Sequence, residues 1–324
     1  MKNHLLRLCL AVATSSAFWA AANAQPFPSK MVSLMVPYPA GGASDFIARL
    51  IQVEYQKQLG QPVLVDNLGG VGGALGVQKV LNAPADGYSQ VFGTPMEFTL
   101  PPLAMSAVKY KPEDLRLASM IVTTPIGLII RSDIPATNID EFIAWSKGRP
   151  LTYGSIGQGG LYHLMGAKLG MKTGMDLVHV PYKGSGAILT DIAGGRVDFS
   201  FFSLAGPVPG MIKDGRVKAI SVASANSIPA WPQLQPMSKN PLLKDFIFDI
   251  WGGIAVPRNT PDAVVERINQ AATEALKSPN IRKQIEDTGS TIPAPMTMKQ
   301  RDAFYASENE SYRALAKSLN LKPQ

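Results

Sequence analysis

The most constraining feature of the sequence is a turn of prolines and glycines between an apolar run and a helix-forming segment. The run covers residues 31–36 and is long enough for one buried strand. Apolar residues at helical spacing begin at Phe46, and Gly60 is placed to end that helix. Ser44 and Asp45 are placed to cap its start. The pattern therefore predicts a strand, a glycine-rich turn and a helix in direct succession.

This first turn (residues 37–45) can bind an anion without a cationic side chain. The first N–H groups of a helix have no internal partner, glycines allow close approach, and the helix dipole is positive at this end. A carboxylate is therefore predicted to bind here, and the candidate residues are Tyr38, Pro39, Ala40, Gly41, Gly42, Ala43, Ser44 and Asp45. Two alternatives stay open: glycines that serve turn geometry alone, and an Asp45 that caps the helix and pairs with Arg49.

The same order of elements recurs along the chain. Strand, glycine-rich turn and helix are predicted again around a second turn (residues 66–73), a third turn (residues 154–160) and a fourth turn (residues 181–186). This succession is typical of a parallel α/β sheet, in which ligands collect at the carboxyl ends of the strands. A long strand over 246–256 and two terminal helices, starting at Thr260-Pro261-Asp262 and at Lys299, complete the prediction.

The first 24 residues have the pattern of a signal peptide. Lys2 and Arg7 precede an apolar core, and Ala22-Asn23-Ala24 is a small-x-small cleavage site. Cleavage after Ala24 would remove both positive charges and take the formal net charge from +7 to +5. It would also remove Cys9, the single cysteine of the chain. An exported, soluble protein without thiol or disulfide chemistry is therefore expected.

Several function classes lack the patterns that they require. Basic and acidic residues are mixed, so no nucleic-acid partner is expected. Lys183-Gly184-Ser185-Gly186 lacks the rest of a phosphate-binding P-loop. His163 and His179 are not in a metal-spacing cluster, and neither a G-x-S-x-G elbow nor a Ser–His–acid set can be nominated. Hence no metal, no other cofactor and no catalytic residue are predicted.

The chain resembles the Bug-type periplasmic solute-binding proteins of the tripartite tricarboxylate transporter systems. The resemblance covers essentially the whole mature chain in order. The matching segments are 36–42 with Asp45 and Arg49, 67–76, 84–88, 153–155 with Gly157 and His163, 179–184 with Asp191, 194–195 with Asp198, and Trp251, Pro257 and 260–261 with the terminal helices.

This resemblance implies a type II periplasmic-binding-protein fold, in which two α/β domains are joined by two crossover strands around a ligand cleft. Domain 1 would comprise residues 26–122 and 250–324, and domain 2 residues 123–249. The implied function is the capture of a small organic carboxylate by cleft closure and its delivery to membrane permease subunits. The protein is expected to be a monomer and not an enzyme.

The resemblance also implies that the first turn holds one carboxylate and that the third turn contributes from the other domain. The remaining candidate binding residues are Thr94, Glu97, Ser155, Gly157, Gly159, His163, Phe202 and Ser203. For three of them an alternative stays open. Ser155 caps a helix or donates to the ligand, His163 is structural or contacts the cleft, and Glu97 is a solvated loop charge or determines the ligand's distal end.

The chain departs from the family pattern at three places, all away from the first turn. Asp66, Leu68 and Gly69 replace the usual Glu and Arg-Pro pair, Pro95-Met96-Glu97 replaces a Gly-Thr pair, and Phe202 stands where Asp is frequent. These departures leave the ligand open among dicarboxylates, tricarboxylates, aromatic acids and acidic amino acids.

Two other functions remain possible on the same fold. One is a periplasmic sensor that reports a carboxylate to a membrane kinase. The other is a periplasmic hydrolase or isomerase, for which His163, Glu97 and Asp45 are the available general bases.

Overall fold

A computed structural model describes residues 27–319 and residue 321, so the predicted signal peptide and its cleavage site lie outside the described residues. The described chain is mixed α/β. Its strands are β1 (Val32–Val36), β2 (Val63–Asn67), β3 (Ser89–Gly93), β4 (Leu115–Arg131), β5 (Leu151–Ser155), β6 (Leu177–Pro181), β7 (Phe199–Ser203), β8 (Val217–Val222) and β9 (Asp249–Pro257). Its helices are α1 (Ala43–Leu59), α2 (Ala74–Leu81), α3 (Pro95–Phe98), α4 (Leu100–Ala104), α5 (Ile139–Ser146), α6 (Leu161–Thr173), α7 (Ser185–Ala193), α8 (Val208–Lys213), α9 (Asp262–Ala275), α10 (Pro279–Glu286) and α11 (Met298–Ser318).

Two strands connect the two halves of the sheet, whose order is β2-β1-β3-β9-β4-β7-β5-β6, with β8 also paired to β4. The first part of β4 pairs antiparallel with β9, from Leu115 opposite Pro257 to Pro125 opposite Asp249. Its last part, from Ile126, lies between β7 and β8. We call β1–β3 and β9 with their helices the first lobe, and β5–β8 with theirs the second lobe. This is the predicted arrangement of two α/β domains joined by crossover strands.

The predicted domain boundaries, at 122/123 and 249/250, lie within β4 and at the start of β9. They stay a prediction. In the described residues, no helix is both long enough and apolar enough to cross a membrane.

Helices cover both faces of the first lobe's sheet. Leu34 and Val36 of β1 pack in one core cluster with Val265 of α9, while Met35 packs on the other face with Val77 of α2. A strand covered on both faces is apolar along its length, which is the pattern that predicted β1. The first turn therefore starts at the carboxyl end of a fully covered strand.

The last helix contacts both lobes. Tyr305 of α11 belongs to a first-lobe core cluster, whereas Tyr312 belongs to the second-lobe core, against which Leu315 also packs. The helix thus lies across the crossover strands and connects the two cores.

Three local predictions were wrong. The helix after the first turn is capped by Gly42, and Ser44 and Asp45 lie inside its first turn. For Glu97, the alternative of a solvated loop charge is wrong, because Thr94 and Glu97 form a capping box that starts α3 and Glu97 is fully buried. Between the two predicted terminal helices lies a third, α10, which begins at Pro279.

Candidate functional site

A cavity of about 380 Å³ lies between the two lobes. The first-lobe lining consists of Tyr38, Pro39, Ala40, Gly41, Gly42, Ala43, Ser44, Ile47, Phe92, Thr94 and Met96; the crossover strands add Val122, Thr124, Ile250, Trp251 and Gly252; the second lobe adds Ile156, Tyr162, Lys183, Gly184, Ser185, Gly186, Ala187, Ser203 and Ala205. All of these residues are described by the structure. They include one charged side chain, Lys183, and no carboxylate.

The first turn presents free backbone donors to this cavity. The N-cap residue Gly42 has extended backbone angles and its helix receives no side-chain cap. The N–H groups of Gly42, Ala43 and Ser44 have no hydrogen-bond acceptor among the described residues. Gly41 adopts φ +86°, a conformation that favours glycine. The turn therefore has the geometry of an anion-binding helix start.

Asp45 stabilises the first turn by hydrogen bonds and does not line the cavity. Its carboxylate accepts from the Gly41 N–H at 2.9 Å, from Arg49 Nε at 2.9 Å and from Asn67 Nδ2 at 3.0 Å. Burial opposes ionisation of this group, but the three hydrogen bonds outweigh burial and lower its pKa. Asp45 is thus an ionised, fully engaged carboxylate that fixes the shape of the turn.

The second lobe lines the cavity mainly with the fourth turn. Gly184 is the N-cap of α7 and has extended backbone angles. The N–H groups of Ser185, Gly186 and Ala187 find no acceptor in the described part of the chain. Lys183, directly before the N-cap, is exposed and forms no ion pair with a described residue.

The first and fourth turns meet across the cleft. A Cβ placed on Gly42 would lie 3.6 Å from Ser185 Oγ, and one on Gly184 would lie 3.8 Å from Pro39 Cγ. The start of α1 is also approached by Gly206, whose Cβ would lie 3.2 Å from Ala43 Cα. Two sets of free helical N–H groups therefore converge on one end of the cavity.

The third turn is engaged in its own hydrogen bonds. Ser155 is fully buried, and its Oγ lies 2.6 Å from His179 Nε2 and 3.2 Å from the Gly157 nitrogen, which donates to it. The Gly159 N–H donates to His163 Nδ1 at 2.9 Å. Ile156 lines the cavity, whereas Ser155, Gly157, Gly159 and His163 do not.

His163 and His179 form a pair behind the third turn. Their ring centroids are 4.2 Å apart, and both rings pack near Tyr153. Burial lowers the pKa of both, and for His179, to which His163 adds repulsion, the value is about 4. The pair is therefore neutral at neutral pH.

Glu97 lies behind the cavity wall. It is fully buried and accepts from the Thr94 nitrogen at 2.7 Å, Thr94 Oγ1 at 2.9 Å and Tyr38 Oη at 3.1 Å. Burial raises the pKa of Glu97 to about 8, against the opposing effect of these hydrogen bonds. Thr94 and Tyr38 line the cavity, so Glu97 supports two lining residues without lining it itself.

Near the end of β7, one of the two predicted residues faces the cavity. Ser203 lines it, and the Ser203 nitrogen donates to Tyr162 Oη at 3.0 Å. Phe202 points into the second-lobe core and packs against Tyr162 with ring centroids 5.9 Å apart.

Sequence reasoning missed two groups of lining residues. The fourth turn carries the same local signal as the first, a glycine-rich strand-to-helix connection, and that signal could have selected it. Ile47, Phe92, Val122, Ile250 and Gly252 belong to the second group. No local signal separates these apolar positions from ordinary core. Among the described residues, no group of three or more His, Cys, Asp and Glu side chains is placed to hold a metal ion.

Known proteins are similar to this chain in sequence and in fold. Residues 47–321 match the model of the tripartite tricarboxylate transporter family receptors. A relative from Agrobacterium vitis, the UPF0065 protein in the TAR-I ttuE-ttuC' intergenic region, is 32% identical over 305 residues, which are 93% of this chain and 87% of the relative. The periplasmic binding protein BugD superposes with a TM-score of 0.83 at 27% identity, covering 92% of this chain and 100% of BugD. R. palustris Rpa4515 with adipate superposes with a TM-score of 0.85 at 27% identity, covering 92% and 100%.

Proposed function

Since this chain belongs to the family of tripartite tricarboxylate transporter receptors, we propose that it captures a small organic carboxylate between its first and fourth turns and delivers it to membrane permease subunits. Members of this family are periplasmic solute-binding proteins and not enzymes. One structural neighbour, Rpa4515, has adipate with it, which is a carboxylate.

One observation carries the proposal. The free N–H groups at the starts of α1 and α7 converge on a cavity that contains one cation, Lys183, and no acidic lining residue. Partial positive charge from two helix dipoles, free donors and one ammonium group together favour an anion of carboxylate size. Because the donors belong to different lobes, a bound carboxylate would hold the lobes together, which is the basis for closure at β4 and β9.

The positions of the three candidate general bases favour a binding protein over an enzyme. Asp45, Glu97 and His163 all lie outside the lining, and each is engaged in hydrogen bonds within its own lobe. A general base must lie within hydrogen-bond reach of the bound substrate.

The test is calorimetric titration of the purified protein with a panel of organic acids and their amides, followed by recovery of the bound acid. The expected result is saturable binding of an acid, no binding of its uncharged amide, and recovery of the acid unchanged. Binding of acid and amide with equal affinity would rule out carboxylate recognition, and a chemically altered acid would show an enzyme.

A further inference from the structure

We propose that the ligand carries a single carboxylate on an apolar body, and that the site selects against dicarboxylates. This inference rests on the proposed function, since it concerns the ligand class of the same cavity. It is carried by where the donors lie and by what forms the rest of the cavity.

All identified anion-binding groups lie at one end. A Cβ on Gly42 would lie 3.6 Å from Ser185 Oγ, so the helix starts of α1 and α7 are in direct proximity. Lys183 directly precedes the N-cap of α7 and lines the same cavity. Both sets of N–H groups can therefore serve the same carboxylate, whereas the two ends of a dicarboxylate are held apart by the chain between them.

One wall of the cavity, formed by α1, β3, β4 and β9, is largely apolar. Ile47 lies one helical turn beyond Ala43, and it belongs to one buried cluster with Phe92 and Val122. Gly252 is close to the same two side chains, because a Cβ there would lie 3.1 Å from both. Ile250 and Trp251 continue this wall along β9. A second carboxylate placed against these groups would lose its hydration without gaining a partner.

The polar groups elsewhere in the lining are uncharged. The Thr94 hydroxyl donates to Glu97, and the Thr124 hydroxyl accepts from Ser290 at 3.1 Å. The Thr94 and Tyr38 hydroxyls both donate to the Glu97 carboxyl group behind them, so neither hydroxyl is free to donate to a second anion there. Hydroxyl or carbonyl substituents on the ligand are compatible with Ser203 and Tyr162, whereas a second charge is not.

The experiment compares acids that differ by one carboxylate on the same skeleton. Hexanoate is titrated against adipate, and benzoate against terephthalate, by calorimetry with the purified wild-type protein. The expected result is that each monocarboxylate binds at least about tenfold more tightly than its dicarboxylate partner. Equal or tighter binding of adipate or terephthalate would overturn the inference and leave the proposed function intact. If no carboxylate in the wider panel binds, the proposed function itself fails.

A variant pair tests the wall directly. Met96→Lys replaces the methionine by a side chain of similar length that ends in an ammonium group. Met96→Leu is the matched apolar control. We expect Met96→Lys to shift the ratio of monocarboxylate to dicarboxylate affinity toward the dicarboxylate by about tenfold, and Met96→Leu to leave it unchanged. An unchanged ratio in a Met96→Lys protein that melts cooperatively would contradict the inference. If that variant does not fold, the wild-type comparison alone decides.

Discussion

The first turn and the third turn have the same local pattern but different surroundings. Both connect a parallel strand to a helix, and both helices have a glycine N-cap, Gly42 or Gly160, without a side-chain cap. In the third turn, Ser155 and His163 accept the N–H groups of Gly157 and Gly159. In the first turn, the N–H groups from Gly42 to Ser44 have no acceptor among the described residues. The N–H groups of Leu161 to His163 at the start of α6 also have no acceptor among the described residues. The two turns therefore differ in position: residues 38–44 of the first turn line the cavity, whereas the third turn contributes Ile156 alone.

The fourth turn sharpens this comparison. It has the open N–H groups of the first turn, and it lies directly opposite to it across the cavity. The third turn, by contrast, packs closely against the first lobe. A Cβ on Gly159 would lie 2.0 Å from Ala104 Cβ, so this glycine is needed for contact between the lobes.

Behind the first turn and behind the third turn lies an ionisable group that burial keeps neutral. One group is an acid and the other is a base. Behind the first turn, burial raises the pKa of the Glu97 acid to about 8. Behind the third, burial lowers the pKa of the His179 base to about 4. The two regions should therefore respond to pH in opposite directions.

The largest expected effect comes from an aspartate at the N-cap of the first turn, which is compared with the same substitution at the N-cap of the third turn. In Gly42→Asp, the new carboxylate would accept the free N–H groups itself and repel the ligand, so affinity should fall at least about 100-fold, or about 2.8 kcal/mol. The fold should tolerate the change, because the backbone is extended (φ −85°, ψ 177°) and aspartate is a favoured N-cap. Calorimetry gives the affinity, and thermal melting checks the fold.

Gly160→Asp is the matched control. Gly160 also has extended angles (φ −68°, ψ 160°), and its Cβ would meet the Gly157 carbonyl oxygen at an acceptable 3.4 Å. It lies outside the main cavity lining, so affinity should stay within about twofold of wild type. If both variants lost binding equally, the distinction between the two turns would be untenable.

The second prediction concerns the stability that Glu97 contributes. Its folded pKa, about 8, lies above its ordinary value of 4.5, so protonation favours the folded state. That contribution is complete below pH 4.5 and is lost as pH rises toward 8, at up to about 1.4 kcal/mol per pH unit. Glu97→Gln should lack this dependence. The measurement is urea unfolding of both proteins between pH 5 and pH 8.5.

A matching pH slope in wild type and Glu97→Gln would show that Glu97 is ionised in the folded protein. Ligand affinity provides a further check at pH 6. At that pH a neutral Glu97 and a glutamine both leave the wall uncharged, so affinity should differ by less than about threefold.

Local sequence patterns predicted many of the strands and helices, but they did not predict which glycine-rich turns line the cavity. The apolar run before Pro37 and the helical spacing after Phe46 predicted β1 and α1. These elements depend on neighbouring residues and on burial of whole faces. The engagement of the third turn depends on His179, which is 24 positions from Ser155, and no local pattern reports that contact.

The length of β4 shows the same limit. The apolar residues 126–130 predict a strand by themselves, whereas the observed strand extends over 17 residues. Pro125 argues locally against continuation, since proline cannot donate to a sheet. The structure tolerates it where β4 changes partners, between pairing with β9 and pairing with β7 and β8. That exchange depends on strands far along the chain.

The third prediction tests the charged residue of the fourth turn. Lys183→Gln should weaken binding by about fivefold, roughly 1 kcal/mol, because an exposed ammonium group is screened by solvent and salt. The loss should be greatest at low ionic strength. Titrations at two salt concentrations measure it, and Lys213→Gln, an exposed lysine outside the cavity lining, is the control. A larger loss than for Gly42→Asp would reverse the roles assigned to charge and backbone.

The smallest expected effect lies behind the third turn. The folded pKa of His179, about 4, is below its ordinary value of 6.5, so its contribution is complete above pH 6.5 and is lost as pH falls toward 4. The groups that face this ring are His163, Tyr153 and the Ser155 hydroxyl. Because His179 is partly exposed, the lost stability should stay below about 1 kcal/mol. His179→Gln keeps a partner for Ser155 and should remove this acid-side loss of stability, as measured by urea unfolding from pH 7 to pH 4.5.

The affinity of His179→Gln for ligand at pH 7.5 should equal that of wild type, because the third turn holds its shape through hydrogen bonds that the glutamine can replace. A large loss of affinity with an unchanged unfolding curve would instead place this turn among the ligand contacts.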